Sequence, residues 1–163
     1  MNSQGYEQTY RNSCVPACMC ILQLWRGEAT TEERFHEGAT NDGHDLGRTL
    51  MLDRVRTMVL GVGEEEEIDL ALRCGCLVVA MLSGPPQVAW FAARYPEASS
   101  RHGRLCGPGA PGKPYHAIVL TERLDDGYRY HDPWYPADKP QHFTMSEDDF
   151  QRCFGGRIAV AEP

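Results

Sequence analysis

The first part of the chain carries apolar residues at the spacing of an α-helix. They recur every three or four positions between Ser13 and Gly27, which places them on one face of a helix. The members of this stripe are Cys14, Ala17, Cys18, Ile21, Leu22 and Trp25. Asn12 or Ser13 is a suitable N-cap, and Gly27 is a suitable stop. The pattern therefore predicts a core helix from about Ser13 to just before Gly27.

Three other patterns predict further helices in the first half of the chain. Thr30 and Glu33 form a capping box that starts a short helix. Residues 46–60 carry an apolar stripe with helical spacing, which predicts a third helix. The glutamates at 64–67 suit the positive end of a helix dipole, so residues 68–73 are predicted to form a fourth.

Beyond Gly75 the pattern becomes that of β-strands. The predicted strands are residues 77–82, 117–121, 128–130 and 156–160. A turn at residues 124–127 joins the second and third of them, and a short helix capped by Ser146 precedes the last. Helices followed by an antiparallel sheet are typical of an α+β fold. The length suits one domain covering residues 1–163.

A connection at residues 83–115, rich in proline and glycine, separates the first two predicted strands. Residues 88–95 are predicted to form a short helix, which leaves residues 101–114 as the part expected to be mobile. Connections of this length are uncommon in compact domains unless they gate or bind something. A gating role and a plain surface excursion are both open.

The charge and the hydropathy of the chain exclude several classes of partner. A net charge of −7 argues against nucleic-acid binding, which generally needs a basic face. No apolar run approaches the roughly 20 residues that a membrane-spanning helix needs, although a transporter or secretion partner stays open. The first residues lack the positively charged segment followed by an apolar segment that is typical of a secretion signal. We therefore expect a cytoplasmic protein, or one that a partner system exports.

The chain has seven cysteines, so at least one thiol cannot be paired within it. Cysteines at 18 and 20 and at 74 and 76 are two residues apart, a spacing that suits zinc poorly. We expect buried, reduced thiols that pack as small hydrophobes, with no metal and no cofactor. A thiol-rich metal or redox protein is the least favoured alternative.

Four residues form a candidate catalytic set. Cys14 lies at a helix N-terminus, where backbone N–H groups and the helix dipole favour a thiolate. His116 and Asp132 lie about equally far from the predicted turn, so we expect them to be cross-strand neighbours. A carboxylate beside an imidazole orients the ring and stabilises its charged form. Gln8, six residues before the cysteine, is a candidate oxyanion donor, with Gln4 and Gln23 as rivals.

The sequence around these residues resembles the bacteriocin-processing, or double-glycine leader, peptidases. The similar stretches are residues 8–18, His116 to Leu120 and Asp132-Pro133. The resemblance implies a papain-like fold, with the nucleophile on an N-terminal helix and the histidine and aspartate on an antiparallel sheet. It also implies a cysteine nucleophile, a histidine base, an aspartate that orients it and a glutamine oxyanion donor.

Two departures from the family pattern affect the expected substrate channel. The residue after the nucleophile is Val15, where the family commonly has glycine, and the connection at residues 83–115 is longer than usual. Well-known members are domains of membrane transporters, whereas this sequence has no membrane segment. We therefore expect a standalone enzyme.

Some other residues also invite a functional interpretation. Trp134 and Tyr135 follow the Asp-Pro pair and are candidates for contacting a peptide substrate, with core packing as the alternative. His131 alternates with Asp132 along the strand, so we expect it to be structural or exposed to solvent. His44 and Asp45 are expected to lie in a turn.

The predicted activity is peptide-bond hydrolysis through a thioester on Cys14, with removal of a leader from a precursor peptide as one form of it. The same residues would also serve an acyl or amide transferase or an amidase effector. A third hypothesis is a non-catalytic module that binds leader peptides.

Overall fold

The computed structural model describes residues 6–9, 13–36, 45–61, 63–84, 86, 89–90, 93, 115–134 and 143–163. Its α-helices are α1 (Cys14–Trp25), α2 (Glu33–His36), α3 (Glu66–Arg73) and α4 (Glu147–Cys153), and a 3₁₀ helix covers Leu46–Met51. Its strands are β1 (Val55–Val59), β2 (Leu77–Ser83), β3 (Tyr115–Leu124), β4 (Gly127–His131), β5 (Phe143–Ser146) and β6 (Phe154–Ala161). The α+β class predicted from the pattern is confirmed.

The strands form one antiparallel sheet that separates two layers of helices. Within the described residues the sheet has six strands in the order β1-β6-β2-β3-β4-β5. One face packs against α1 and the 3₁₀ helix through side chains such as Val79, Ala117 and Val119. The other face packs against α3 and α4 through side chains such as Ala80 and Ile118. Alternate residues of β2 and β3 therefore belong to different cores, which explains why these strands are apolar on both faces.

The predicted first helix is confirmed, but it is buried more completely than a single apolar stripe requires. Every residue from Cys14 to Gln23 is buried. Gly27 follows the helix with φ +79°, a conformation that favours glycine, so its role as a stop is also confirmed. A helix that is buried on all sides lies in the interior of the domain.

The predicted helix at residues 46–60 is wrong. Only Leu46–Met51 is helical, as a 3₁₀ turn, and the chain then forms the strand Val55–Val59. The Asp45 side chain accepts a hydrogen bond from the Gly47 N–H at 2.9 Å, which caps the 3₁₀ turn. Asp45, which was expected to lie in a turn, therefore caps the 3₁₀ helix. His44 lies outside the described residues.

Backbone conformation and pairing explain why this region does not continue as a helix. Arg54 has φ +54°, a left-handed conformation that interrupts a helix. The β-branched residues that follow favour an extended chain, which pairs with β6. Leu50 and Met51, expected on a buried stripe, are 56% and 61% exposed.

Most of the other elements predicted within the described residues are confirmed, and one further strand was missed. The short helix α2 is present, but the predicted capping box is not, because the Thr30 hydroxyl has no hydrogen-bond partner in the described part of the chain. The strands predicted at 77–82, 117–121, 128–130 and 156–160 all lie within β2, β3, β4 and β6. The acidic start of α3 and the short helix capped by Ser146 are also present, and the Ser146 hydroxyl accepts from the Asp149 N–H. Strand β5 was not predicted. The helix expected at 88–95 and the segment 101–114 lie mostly or wholly outside the described residues.

No helix in the described ranges combines the length and the apolar character that crossing a bilayer would require.

Candidate active site

Cys14 is the first residue of α1 and is almost fully buried, with 1% of its surface exposed. The helix begins with a hydrogen bond from the Ala17 N–H to the Ser13 carbonyl at 2.8 Å. The backbone N–H groups of the first turn, including that of Cys14, precede the regular ladder and are oriented along the helix axis. The thiol therefore lies at the positive end of the helix dipole, as predicted.

His116 lies near the start of β3 and is hydrogen-bonded to Asp132. The distance between its Nε2 and Asp132 Oδ1 is 2.8 Å, and both residues are buried. The predicted closeness of this pair is confirmed. The two are not directly opposite, however, because Val119 faces His131, and continuing that register places Asp132 opposite Ile118. A β-bulge between Leu120 and Glu122 shifts the pairing, so the carboxylate reaches the ring diagonally.

The imidazole of His116 also contacts the thiol of Cys14. Nε2 is taken by Asp132, so Nδ1 is the ring nitrogen that remains for the sulfur. Burial by itself lowers the pKa of His116. The charge and hydrogen bond of Asp132, followed by those of Cys14, outweigh burial and raise that pKa from 6.5 to about 10. These surroundings favour the protonated form of the ring, which is the form that a thiolate–imidazolium pair requires.

Asp132 follows the last residue of β4 and is fully buried. Its Oδ1 accepts hydrogen bonds from His116 and from the Trp134 N–H, both at 2.8 Å. The bond from the Trp134 N–H fixes the carboxylate, because the main chain of residues 132–134 turns so that this N–H faces the Asp132 side chain. Asp132 is therefore held in the orientation that keeps it on the imidazole.

Gln8 is buried and lies next to the chain segment that carries Asp132. Its N–H donates to the Pro133 carbonyl at 2.6 Å. The rival Gln23 lies nine positions after Cys14 on α1, which corresponds to about 13 Å along the helix axis. The other rival, Gln4, lies outside the described residues. Of these candidates, Gln8 is the one whose backbone bonds to the segment that follows Asp132, and its role as an oxyanion donor stays a prediction.

Trp134 is 4% exposed and packs in the core on the α3 and α4 side of the sheet. This position agrees with the packing alternative, and substrate contact at Trp134 stays a prediction. Tyr135 lies outside the described residues. His131 is buried on β4, in agreement with a structural role.

Among the described cysteines no disulfide is present. Cys14, Cys18, Cys20 and Cys153 are buried, as expected for thiols that pack as hydrophobes, whereas Cys74 is exposed. Burial, and then the negative charge of Cys14, raise the pKa of Cys18. Burial raises the pKa of Cys20 to about 12. These two thiols are therefore poor nucleophiles near neutral pH.

Glu32 is a buried residue near this site whose contacts the sequence pattern did not reveal. It lies inside the predicted capping box of Thr30 and Glu33, but α2 begins only at Glu33. The Glu32 carboxylate instead accepts from the Thr9 N–H at 2.9 Å, one residue after Gln8. The sequence did not reveal this contact, because Glu32 follows a suitable N-cap residue and glutamate is typical of a first helical turn.

Comparison with solved structures shows which fold this arrangement belongs to. The chain superposes on the peptidase domain of Streptococcus ComA, a bifunctional ABC transporter involved in a quorum-sensing pathway, with a TM-score of 0.61 and 15% identity. That alignment covers 99% of this chain and 100% of the other. A putative C39-like peptidase from Bacillus anthracis gives a TM-score of 0.63 at 12% identity, covering 99% and 96% of the two chains.

This chain has the papain-like fold of the C39 peptidases. The peptidase domain of Streptococcus mutans ComA, in complex with a small-molecule inhibitor, also matches, with a TM-score of 0.53 and 15% identity over 96% and 98% of the chains. No protein-family model matches the sequence, and no curated protein does so. The resemblance noted around Cys14 and His116 is thus confirmed at the level of the fold.

Proposed function

We propose that this protein is a cysteine peptidase in which Cys14 is the nucleophile, His116 the acid–base and Asp132 the residue that orients it. The observation that carries the proposal is the buried hydrogen bond between His116 Nε2 and Asp132 Oδ1, on a ring that also contacts the Cys14 thiol. A histidine with a purely structural role would need neither a buried carboxylate on one side of its ring nor a thiol at a helix N-terminus on the other.

The reaction follows from these positions. The Cys14 thiolate attacks the substrate carbonyl, and the C–N bond breaks as His116 gives its proton to the leaving amine. The thioester that remains is attacked by water, from which His116 takes a proton, and the acid product then leaves. Gln8 and the Cys14 N–H are the proposed donors to the oxyanion in both steps, each worth about 3 kcal/mol when well placed.

The proposed substrate is a peptide or protein, with removal of a leader from a precursor as the finer hypothesis. The C39-like fold and the resemblance around Cys14 support this choice. Val15, which occupies the position of a common family glycine, is fully buried, so its side chain packs into the domain.

Thiol alkylation tests the nucleophile without knowledge of the substrate. We expect iodoacetamide to modify Cys14 ahead of Cys18 and Cys20 at about pH 6, below the ordinary thiol pKa of about 8.5. His116→Ala should slow this reaction strongly, because it removes the positive partner of the thiolate. Peptide mapping by mass spectrometry identifies the modified residue, and Cys74→Ser is the matched control for an exposed thiol.

Loss of activity in Cys14→Ala with an unchanged circular dichroism spectrum is the result expected of an enzyme. Full cleavage activity in that variant would refute the assignment of the nucleophile. If Cys14 shows no fast reaction at low pH, the proposal of an enzyme fails and a peptide-binding module is favoured. Products joined to an added amine instead of water would identify a transferase.

A further inference from the structure

The short segment that carries Gln8 is hydrogen-bonded on both sides of that residue. The N–H of Gln8 donates to the Pro133 carbonyl at 2.6 Å, and the N–H of Thr9 donates to Glu32 Oε2 at 2.9 Å. The Glu32 N–H donates to the hydroxyl of Tyr6 at 3.1 Å. Glu32 therefore bonds to residues before and after Gln8, and we call Tyr6, Thr9 and Glu32 the Glu32 clamp.

The Glu32 clamp also connects this segment to the nucleophile helix. The Tyr6 hydroxyl is hydrogen-bonded to the thiol of Cys20 on α1, and burial together with Cys20 raises the pKa of Tyr6 to about 12. The hydroxyl therefore stays protonated throughout the physiological range. Through Tyr6 and Glu32, the backbone at Gln8 is placed relative to the helix that begins at Cys14.

Glu32 is fully buried, which is an unusual position for a glutamate. A buried carboxylate loses several kcal/mol of hydration, so an apolar residue would fill the same space at lower cost. A carboxylate that accepts from a backbone N–H, on the other hand, forms a short and strong hydrogen bond with a defined direction. The contact with the Thr9 N–H therefore provides orientation that packing alone would not.

We propose that Glu32 is a positioning residue, which fixes Gln8 so that its amide points at the oxyanion formed at Cys14. This inference rests on the proposed function, since it assigns Glu32 a role through Gln8 and not on the substrate itself. Stabilisation of an oxyanion depends steeply on geometry, and a displacement of about 1 Å can cost roughly 100-fold in rate. A residue that sets the backbone on one side of Gln8 therefore controls catalysis.

Two reactions of Cys14 separate this role from a general structural one. Acylation by 4-nitrophenyl acetate passes through a tetrahedral oxyanion, whereas alkylation by iodoacetamide does not. Glu32→Leu should lower the acylation rate constant about 10- to 100-fold and leave the alkylation rate of Cys14 within about twofold. Glu32→Gln retains a carbonyl acceptor for the Thr9 N–H and should recover most of the acylation rate.

The dependence on Gln8 is tested by combining substitutions. If Glu32 acts through Gln8, then Glu32→Leu causes no further loss of acylation in a Gln8→Ala background. Tyr6→Phe, which removes the hydroxyl that accepts from the Glu32 N–H, is the second variant if Glu32→Leu does not fold. It should lower acylation selectively and by a smaller factor.

The outcomes distinguish failure of this inference from failure of the proposed function. A parallel loss of acylation and alkylation, or losses that multiply in the double variant, would overturn the positioning role. So would an unchanged acylation rate in Glu32→Leu when Gln8→Ala is impaired, and in that case the proposed function stands. If Cys14 reacts with neither reagent in the unaltered protein, both proposals fail together.

Discussion

At the scale of single residues, the contact between His116 and Asp132 has the largest effect on the protonation of the histidine. Burial opposes a charged ring, and the contacts with Asp132 and then with Cys14 outweigh that effect, so the pKa of His116 rises to about 10. Without its carboxylate, the same histidine would retain only the contact with Cys14 to oppose the loss of hydration. The charge state of His116 is therefore set by its partners and not by exposure to solvent.

Asp132→Asn should lower the pKa of His116, because burial remains while the negative charge is removed. We expect the acylation rate of Cys14 to fall by about 10³- to 10⁴-fold, as when a histidine loses its orienting carboxylate in other triads. The pKa is measured from the histidine ring resonances by NMR titration. Asp125→Asn, in the exposed turn after β3, is the matched control and should change neither value.

A stability measurement tests the raised pKa of His116 independently of activity. Its folded pKa of about 10 exceeds the unfolded value of 6.5, so the imidazolium contributes fully below pH 6.5 and this contribution is lost as the pH rises towards 10. Cys14→Ala should be the background, since it removes the other neighbour that raises the pKa of His116 and leaves the effect of Asp132 to be measured. In that background the free energy of unfolding should fall with rising pH more steeply when Asp132 is retained than when the Asp132→Asn substitution is added.

Urea unfolding at a series of pH values measures this difference. The two proteins are compared between about pH 6.5 and pH 8, below the ordinary thiol pKa of about 8.5, because Asp132 also raises the pKa of Cys18. Equal slopes in the two proteins would show that Asp132 does not hold the charge of His116.

At the scale of elements, the hairpin of β3 and β4 and the neighbouring β5 determine where Asp132 lies. Gly127 begins β4, and a Cβ atom there would lie 2.1 Å from the Met145 carbonyl oxygen and 2.9 Å from Ser146 Cα. Both are backbone atoms of β5, which cannot move without disrupting its pairing with β4. This close approach of two strands requires glycine.

Gly127→Ala should therefore destabilise the protein by about 1–3 kcal/mol, the usual cost of overpacking. The free energy of unfolding in urea is the measurement. Gly47→Ala is the matched control, since a Cβ there meets only the exposed side chain of Asp45, at 3.1 Å. We expect a change within about 0.5 kcal/mol for the control. An equally small change at Gly127 would contradict the close packing of β5 on β4.

At the scale of the whole molecule, the contacts that hold α1 join segments far apart in sequence. At its carboxyl end, Arg26 donates to the Asp53 carbonyl at 2.8 Å and to the Glu162 carbonyl at 2.6 Å. Glu162 itself donates through its N–H to the Arg54 carbonyl at 3.1 Å. One side chain therefore links α1, the turn before β1 and the end of β6.

Arg26→Ala should lower the free energy of unfolding by about 1–2 kcal/mol, since a charged donor to several carbonyls is lost at a partly exposed position. Differential scanning calorimetry or urea unfolding measures the effect. Arg157→Ala, on the exposed side of β6, is the control of equal charge and should be nearly neutral. If both variants behave alike, the three-way link does not contribute to stability.

The sequence by itself determined the features that depend on neighbouring residues. The start of α1 near Ser13 was predicted from apolar periodicity, although the Ser13 side chain makes no capping hydrogen bond. The turn between β3 and β4 and the helix capped by Ser146 were predicted because turns and caps involve contacts within a few positions. Apolar periodicity likewise identified β2 as a buried strand. The resemblance of the stretches around Cys14 and His116 to a known peptidase family implied the papain-like fold.

The tertiary structure alone decided the features that depend on distant pairing. Strand β1 exists because β6 pairs with it, whereas its sequence taken alone fitted a helical stripe. Glu32 is buried because Thr9 supplies a partner 23 positions away. Cys14 and His116 are in contact although they lie 102 positions apart in the sequence. Local conformational propensity cannot determine a contact between residues so far apart. The physical reason is the same in each case: these contacts form only when the sheet and α1 pack together, so their free energy belongs to the folded chain as a whole.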